Sequence, residues 1–228
     1  MDDLNCQGEV VHQTLRELHI INTWLGGNAI TLSGLASVVH TQNPNHELVV
    51  ADIGCGGGDL LIRMAEWARK ANRKLRLIGF DANPHIVAYA QVQTRAYPEI
   101  EIREANIFSE EFRQQQFDVI TATLVLHHFR EGELVTLLKQ FQSQTRVGIV
   151  INDLHRHPLA YYSILVLTKL FSRSAMVQFD APLSVARAFS KAEWVALLRA
   201  SGITKYTLRW RWAFRWQLLI NVSVTNTR

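Results

Sequence analysis

Apolar positions fall into short runs divided by polar or glycine-bearing breaks, and the period of those runs changes along the chain. Between residues 9 and 24, Val11, Leu15, Leu18 and Ile21 or Trp24 recur at three- and four-residue spacing, which predicts an amphipathic helix. Gly26-Gly27 interrupts it, a second helical stretch runs from Ile30 to Val39, and Asn43-Pro44-Asn45 reads as a loop. Strand-like runs at 48–53, 75–80, 100–103, 117–122 and 147–152 then alternate with helical ones at 59–71, 84–95, 110–115 and 131–143. Strands alternating with helices read as βαβ units, hence a parallel sheet with right-handed crossovers.

Two departures follow. Residues 154–190 break the rhythm with an apolar helix at 158–171 and a loop ending in Ala181-Pro182-Leu183. Tyr206, Leu208, Trp210 and Trp212 alternate with polar residues, and Trp216, Leu218, Ile220, Val222 and Val224 repeat that period after a break at 213–215. Two period-2 runs so closely linked predict an antiparallel hairpin with one buried face.

At 228 residues the chain fits one large α/β domain, and 48% apolar with 19% charged residues describes a globular rather than a disordered protein. The apolar patch Tyr161–Leu167 stops at Lys169, far short of the roughly 20 residues a membrane span needs. The N-terminus carries acids where a signal peptide needs bases, so a cytoplasmic location is expected. Cys6 and Cys55 give neither a disulfide framework nor metal-ligand spacing, and no metal is predicted. Residues 1–62 carry one base against seven acids, −6, and the remainder 23 bases against 13 acids, +10, summing to the net +4. The bases are scattered, as on a mixed solvated surface.

Candidate chemistry concentrates at Val49–Leu61, VVADIGCGGGDLL. An apolar run ending in Asp52-x-Gly54-x-Gly56-x-Gly58 and entering a helix brings backbone close to a ligand, because glycine tolerates positive φ and presents no side chain. A dinucleotide fingerprint counted from Gly54 needs glycine at 59, where Asp59 stands, and no P-loop signature occurs. Asp81 closes the second strand, where a carboxylate's two oxygens can accept from both ribose hydroxyls of an adenosine ligand.

On these residues the chain resembles the class I S-adenosylmethionine-dependent methyltransferases, whose first motif is acid-x-Gly-x-Gly-x-Gly. The resemblance implies a Rossmann-like, doubly wound α/β fold: a mostly parallel seven-stranded sheet closed by a C-terminal antiparallel hairpin. It implies S-adenosylmethionine as cofactor, with Asp52, Gly54, Cys55, Gly56 and Gly58 around its methionine part. Asp81 and Ala82 would lie at the ribose and adenine, with Ile107 and Asn106 against the adenine; Asn106 stands where the family commonly carries an acid. Thr123 would lie beside the methyl group. The Asn/Asp-Pro-Pro-Tyr/Phe motif of the amino-methylating branches is absent, and Thr123-Leu-Val-Leu-His-His-Phe129 is similar to the small-molecule branch.

His127 or His128 then follows the fourth strand, and Asn152-Asp153-Leu-His155-Arg-His157 the fifth. His155, oriented by Asp153, is the first expectation for a general base, His127 the second; a polar loop bridging sheet and lid is the alternative. Ile21–Gly27 and Leu183–Phe189 are similar to bacterial quinone and phenolic-polyketide methyltransferases. Trp24, Leu159, Tyr161, Tyr162 and Phe189 suit an aromatic or lipid-like acceptor, and Arg156 or Arg187 could hold an anionic group on it. One domain is expected: a helical lid at 1–46, a cofactor-binding core at 47–153, a lid insertion at 154–190, and a C-terminal helix and hairpin at 191–228. The expected activity is O- or C-methylation of a small acceptor, without a nucleic-acid partner. An RNA or protein methyltransferase and a non-catalytic binder are the rivals.

Overall fold

The parallel sheet expected from the alternating runs forms. The computed structural model describes residues 8–172 and 174–222. Strands β1 (Leu48–Ile53), β2 (Leu75–Asp81), β3 (Ile100–Glu104), β4 (Phe117–Thr123) and β5 (Thr145–Leu154) run parallel, and β6 (Tyr206–Arg211) and β7 (Arg215–Asn221) add the antiparallel hairpin. Their order is β3-β2-β1-β4-β5-β7-β6. β1 pairs with both β2 and β4, so the winding reverses there, and the crevice beyond its carboxyl end is where such sheets bind ligands.

Helices cover both faces, which is why the central strands read as continuous apolar runs. On one face α2 (Gly27–Val39), α3 (Asp59–Lys70) and α4 (Pro84–Thr94) bury Leu35, Val38, Leu61, Met64 and Val87 against Val50, Leu77 and Val150. On the other, α6 (Glu131–Gln144) and α9 (Lys191–Ala200) bury Leu137, Phe141, Trp194 and Leu198 against Ile53, Ile120 and Ile151. Each fully buried Leu or Phe contributes about 1.5–3 kcal/mol relative to exposure, so these two layers carry most of the stability. A short α5 (Glu110–Arg113) links β3 to β4.

The remaining helices gather at the carboxyl edge. α1 (Glu9–Trp24) seats Leu15 on Ile86 and Tyr89 of α4. α7 (Pro158–Phe171) packs on α8 (Ala175–Arg187), and Thr14 on α1 meets the Ser174 hydroxyl, the N-cap of α8, at 3.1 Å. No helix among the described residues is long and apolar enough to cross a membrane.

Three local expectations are corrected. The loop ending at 181–183 is helix: Pro182 lies inside α8, held there by packing on α7 where local propensity alone argues for a break. The break at 213–215 is shorter, because Arg215 already pairs with Arg211 and opens β7. Trp210 and Trp212 do not form a buried face; β6 is the edge strand, and they are 50% and 75% exposed. Cys6 and Val224 lie outside the described residues.

Candidate active site

The turn after β1 is built by backbone conformation. Gly54, Gly56 and Gly58 have φ of +67°, +52° and +81°, which L side chains rarely adopt. A Cβ at Gly54 would also come within 2.6 Å of Val125 Cγ2. The Gly54 and Cys55 amides donate to the Phe80 carbonyl at 2.8 and 3.0 Å, which pins the turn to the end of β2, and Gly58 caps α3.

Two carboxylates flank this turn. Asp52 is buried and accepts from the Thr121 hydroxyl of β4 at 2.6 Å. Burial pushes its carboxyl up to about 7; the charge of Asp81 adds to the rise and the Thr121 bond opposes it. Asp81 accepts from the Gly56 amide at 3.2 Å through one oxygen and from the Asn83 amide at 3.0 Å through the other. It too is raised, chiefly by burial. The Ala82 amide also bonds this carboxylate, whose two oxygens offer four acceptor positions in all, so capacity for a ligand hydroxyl remains.

Two chambers meet at this turn. One, of about 870 Å³, is bounded by Phe80, Asp81, Ala82, Asn106, Ile107 and Phe129. Asn106 is exposed, and its Oδ1 already accepts from the Phe108 amide at 2.9 Å. The other, of about 520 Å³, runs from Asp52 and Cys55 past Thr123 and His127 to Leu154, Ile164 and Arg215. Gly54, Gly56, Leu124 and His128 border both. Leu124 takes φ +55°, a conformation that costs a non-glycine residue about 1–3 kcal/mol, and its amide donates to Asn152 O at 2.9 Å. Thr123 meets Thr31 at 2.9 Å, and Asn152 Nδ2 donates to Thr31 at 3.0 Å and to Gly27 O at 2.9 Å. This polar chain fixes α2 to the edge of the sheet.

The second chamber carries a buried pair. His127, in a 3-10 turn at Leu126–His128, places Nδ1 2.7 Å from Asp153 Oδ1. Asp153 also accepts from the Leu154 amide at 2.7 Å, the Leu126 amide at 2.9 Å and the His127 amide at 3.3 Å. Burial alone would raise its carboxyl, but the adjacent His127 and these N–H bonds outweigh it and hold it below the usual range. An ionised Asp153 keeps the proton on Nδ1 and leaves the Nε2 lone pair as the acceptor, the tautomer a general base needs.

Several expected residues lie elsewhere. Asp153 pairs with His127 and not with His155, whose ring packs 4.9 Å from Trp216 and lines neither chamber. Burial lowers the His155 imidazole, and the charge of His157 adds to this. Trp24, 85% exposed, and Tyr161 and Arg187 line neither chamber; from α1 and its end, Leu15, Ile21, Asn22 and Leu25 do. Arg156 forms a surface ion pair with Glu193 at 2.6 Å. The sequence reading missed Asn28, Leu124 and Arg215. A lone Arg heading the apolar run Trp216–Ile220 was the signal available for the last. Among the described residues no cluster of His, Cys, Asp or Glu could hold a metal ion.

Residues 50–148 match the family model described as "Methyltransferase domain". No curated protein sequence matches the chain. Among solved structures, human N-acetylserotonin methyltransferase in complex with S-adenosylmethionine aligns with a TM-score of 0.67 at 19% identity, over 95% of this chain and 56% of that one. The CurJ carbon methyltransferase gives 0.65 at 14%, over 86% and 54%. Magnesium protoporphyrin IX methyltransferase from Synechocystis, with bound S-adenosylhomocysteine, gives 0.58 at 19%, over 87% and 84%. The chain thus spans little more than half the length of the first two, and at these identities the likeness is one of fold. The residues present fit S-adenosylmethionine: a glycine turn open to backbone approach, Asp52 beside it for an ammonium group, and Asp81 for ribose hydroxyls.

Proposed function

We propose that the chain, whose residues 50–148 match a methyltransferase-domain model, moves the methyl group of S-adenosylmethionine to an oxygen or activated carbon of a small, largely apolar aromatic acceptor. One observation carries this reading: the two chambers join at Gly54, Gly56, Leu124 and His128, with the His127–Asp153 pair on the acceptor side of the joint. The cofactor, when bound, supplies an electrophilic methyl on a sulfonium. Asp52 would receive its ammonium group, Asp81 the ribose hydroxyls, and Ile107 and Phe129 would flank the adenine. Thr123 and Leu124 set the depth at which acceptor and cofactor meet.

His127 Nε2 would take the acceptor's proton, and Asp153 would stabilise the imidazolium that results. Such a base contributes about 10²–10⁴ in rate, and alignment in a water-poor chamber several kcal/mol more. α1, α7 and α8 act as the lid over the 47–153 core, and α9, β6 and β7 complete the fold. The apolar walls at Leu25, Ile164 and Val185 favour an aromatic acceptor of quinone or phenolic-polyketide type over a nucleic acid. The free Cys55 thiol in the chamber suits a reducing cytoplasm.

Incubation with radiolabelled S-adenosylmethionine and a panel of phenols, quinols and tRNA tests the reading. Label in a phenol or quinol is expected. Label in tRNA, with salt-sensitive RNA binding, would reverse it.

A further inference from the structure

The acceptor chamber is apolar along Leu25, Leu154, Ile164, Leu167 and Val185, yet one wall carries a buried cation. Arg215 is 2% exposed, and its Nε and Nη1 have no hydrogen-bond partner. Burial lowers it to about 10, with Asp153 opposing, so the guanidinium stays charged at neutral pH. An unpaired buried charge is costly, so its position calls for a counter-group.

Asp153 is the adjacent carboxylate and supplies charge but no hydrogen bond. Its four acceptor positions are taken by the His127 ring and the amides of Leu126, His127 and Leu154. Arg215 opens β7 opposite Leu154 of β5, which sets the guanidinium at the carboxyl edge of the sheet. Gly27 makes the space: a Cβ there would come within 2.9 Å of Arg215 Cζ.

A second orphaned group lies next to Gly27. Asn28 is 5% exposed, and its Oδ1 accepts from Asn22 Nδ2 at 2.6 Å. That bond leaves Asn28 Nδ2 without a partner, and Asn28 and Arg215 line the same chamber. Two unsatisfied donor groups, one cationic, therefore lie together in one wall of the chamber, with the unpartnered Asn22 Oδ1 near them, while Asp52, Asp59 and Asp180 line other parts of it.

We propose that Arg215 and Asn28 form an anion subsite that takes a carboxylate on the acceptor, so that the preferred phenol or quinol is one that carries a carboxylate rather than a neutral one. This rests on reading the chamber as the acceptor site. The acid anchors at Arg215 while the reacting group lies at His127.

The test uses the full chain saturated with S-adenosylhomocysteine and titrated calorimetrically with 2-naphthoate and its neutral counterpart 2-naphthalenemethanol. Naphthoate is expected to bind about tenfold tighter or better, as a charge-assisted hydrogen bond allows. Arg215→Gln should abolish that preference with cofactor-product affinity within about threefold of the parent, well below the tenfold of a lost charged bond. Equal binding of the two compounds by the unaltered protein would overturn the proposal without recourse to any variant. Loss of S-adenosylhomocysteine affinity in folded Arg215→Gln would also overturn it, by giving the guanidinium to the methionine carboxylate. If no small acceptor is methylated but the naphthoate preference holds, the transfer reading fails and the anion subsite stands.

Discussion

Replacing Asp52 by Asn should stabilise the ligand-free protein at pH 8 while weakening its hold on the cofactor. The Asp52 carboxyl is raised from 3.8 to about 7, a difference of about 3 units. At about 1.4 kcal/mol per unit, that corresponds to about 4 kcal/mol between folded and unfolded states. The sign follows from proton counting: between pH 3.8 and about 7 the folded chain holds a proton that the unfolded chain has released. Stability of the ligand-free fold therefore falls as pH rises through that window, and the full penalty is present above it. Asn keeps an oxygen to accept from Thr121 and carries no charge, so the penalty disappears. Its new NH₂ group lacks an assured partner, a cost of about 1–3 kcal/mol, which leaves a net gain of about 1–3 kcal/mol at pH 8. Losing the anion opposite the ammonium should weaken S-adenosylhomocysteine by about 1.5–3 kcal/mol. Urea unfolding at pH 5 and pH 8, with calorimetric titration of S-adenosylhomocysteine, measures both. A variant that is less stable than the parent at pH 8 and retains the parent's pH slope would refute the reasoning.

Three further outcomes are expected. Asp81→Ala should cost roughly 1–3 kcal/mol of S-adenosylhomocysteine affinity by calorimetry, and tight NAD binding without any S-adenosylhomocysteine binding would sink the cofactor assignment. His127→Ala should lower single-turnover methyl transfer by about 10²–10⁴, and His155→Ala by no more than about threefold; the opposite ranking would return the base to His155. In the unaltered protein, S-adenosylmethionine affinity should fall as pH drops through about 7, because Asp52 takes up a proton and loses its attraction for the ammonium group. Equal affinities at pH 6 and pH 8 would count against that pairing.

What was legible in the sequence is what neighbours in the chain determine. Asp52, Gly54, Gly56 and Gly58 lie on one strand-turn-helix unit, so their spacing alone fixes the turn, and Asp81 follows one helix and one strand later. The partner of Asp153 was misread because nearness in sequence differs from nearness across a strand. Asp153 and His155 are two residues apart on or just beyond β5, but Asp153 spends its oxygens on the His127 ring and the amides of Leu126, His127 and Leu154, while the His155 ring packs on Trp216. His127, 26 positions from Asp153, is delivered by the adjacent β4. The acceptor residues depended on how helices turn on the sheet. Trp24 faces outward while Ile21 and Leu25, on neighbouring turns, face in, and a hydrophobic pattern containing all three does not fix that rotation. Arg215 looked like turn residue and proved to be strand, since register, not composition, decided which side of the hairpin it opens.

The placement of α1 bears on how any rate is interpreted. Leu15 lies over the Gly56 turn and packs on Ile86 and Tyr89, while Thr14 and Glu17 bond Ser174 and Ser172. A cofactor seated against Gly54 and Gly56 would have this helix over its end at the turn. Those few contacts make opening a separate kinetic event from bond formation, and opening paces the steady state wherever it is slower. Repeated-cycle measurements would then compress the effect of altering His127, and a first-cycle burst would reveal it. Leu15→Ala should shorten the product's residence and raise the steady rate by more than it changes the burst.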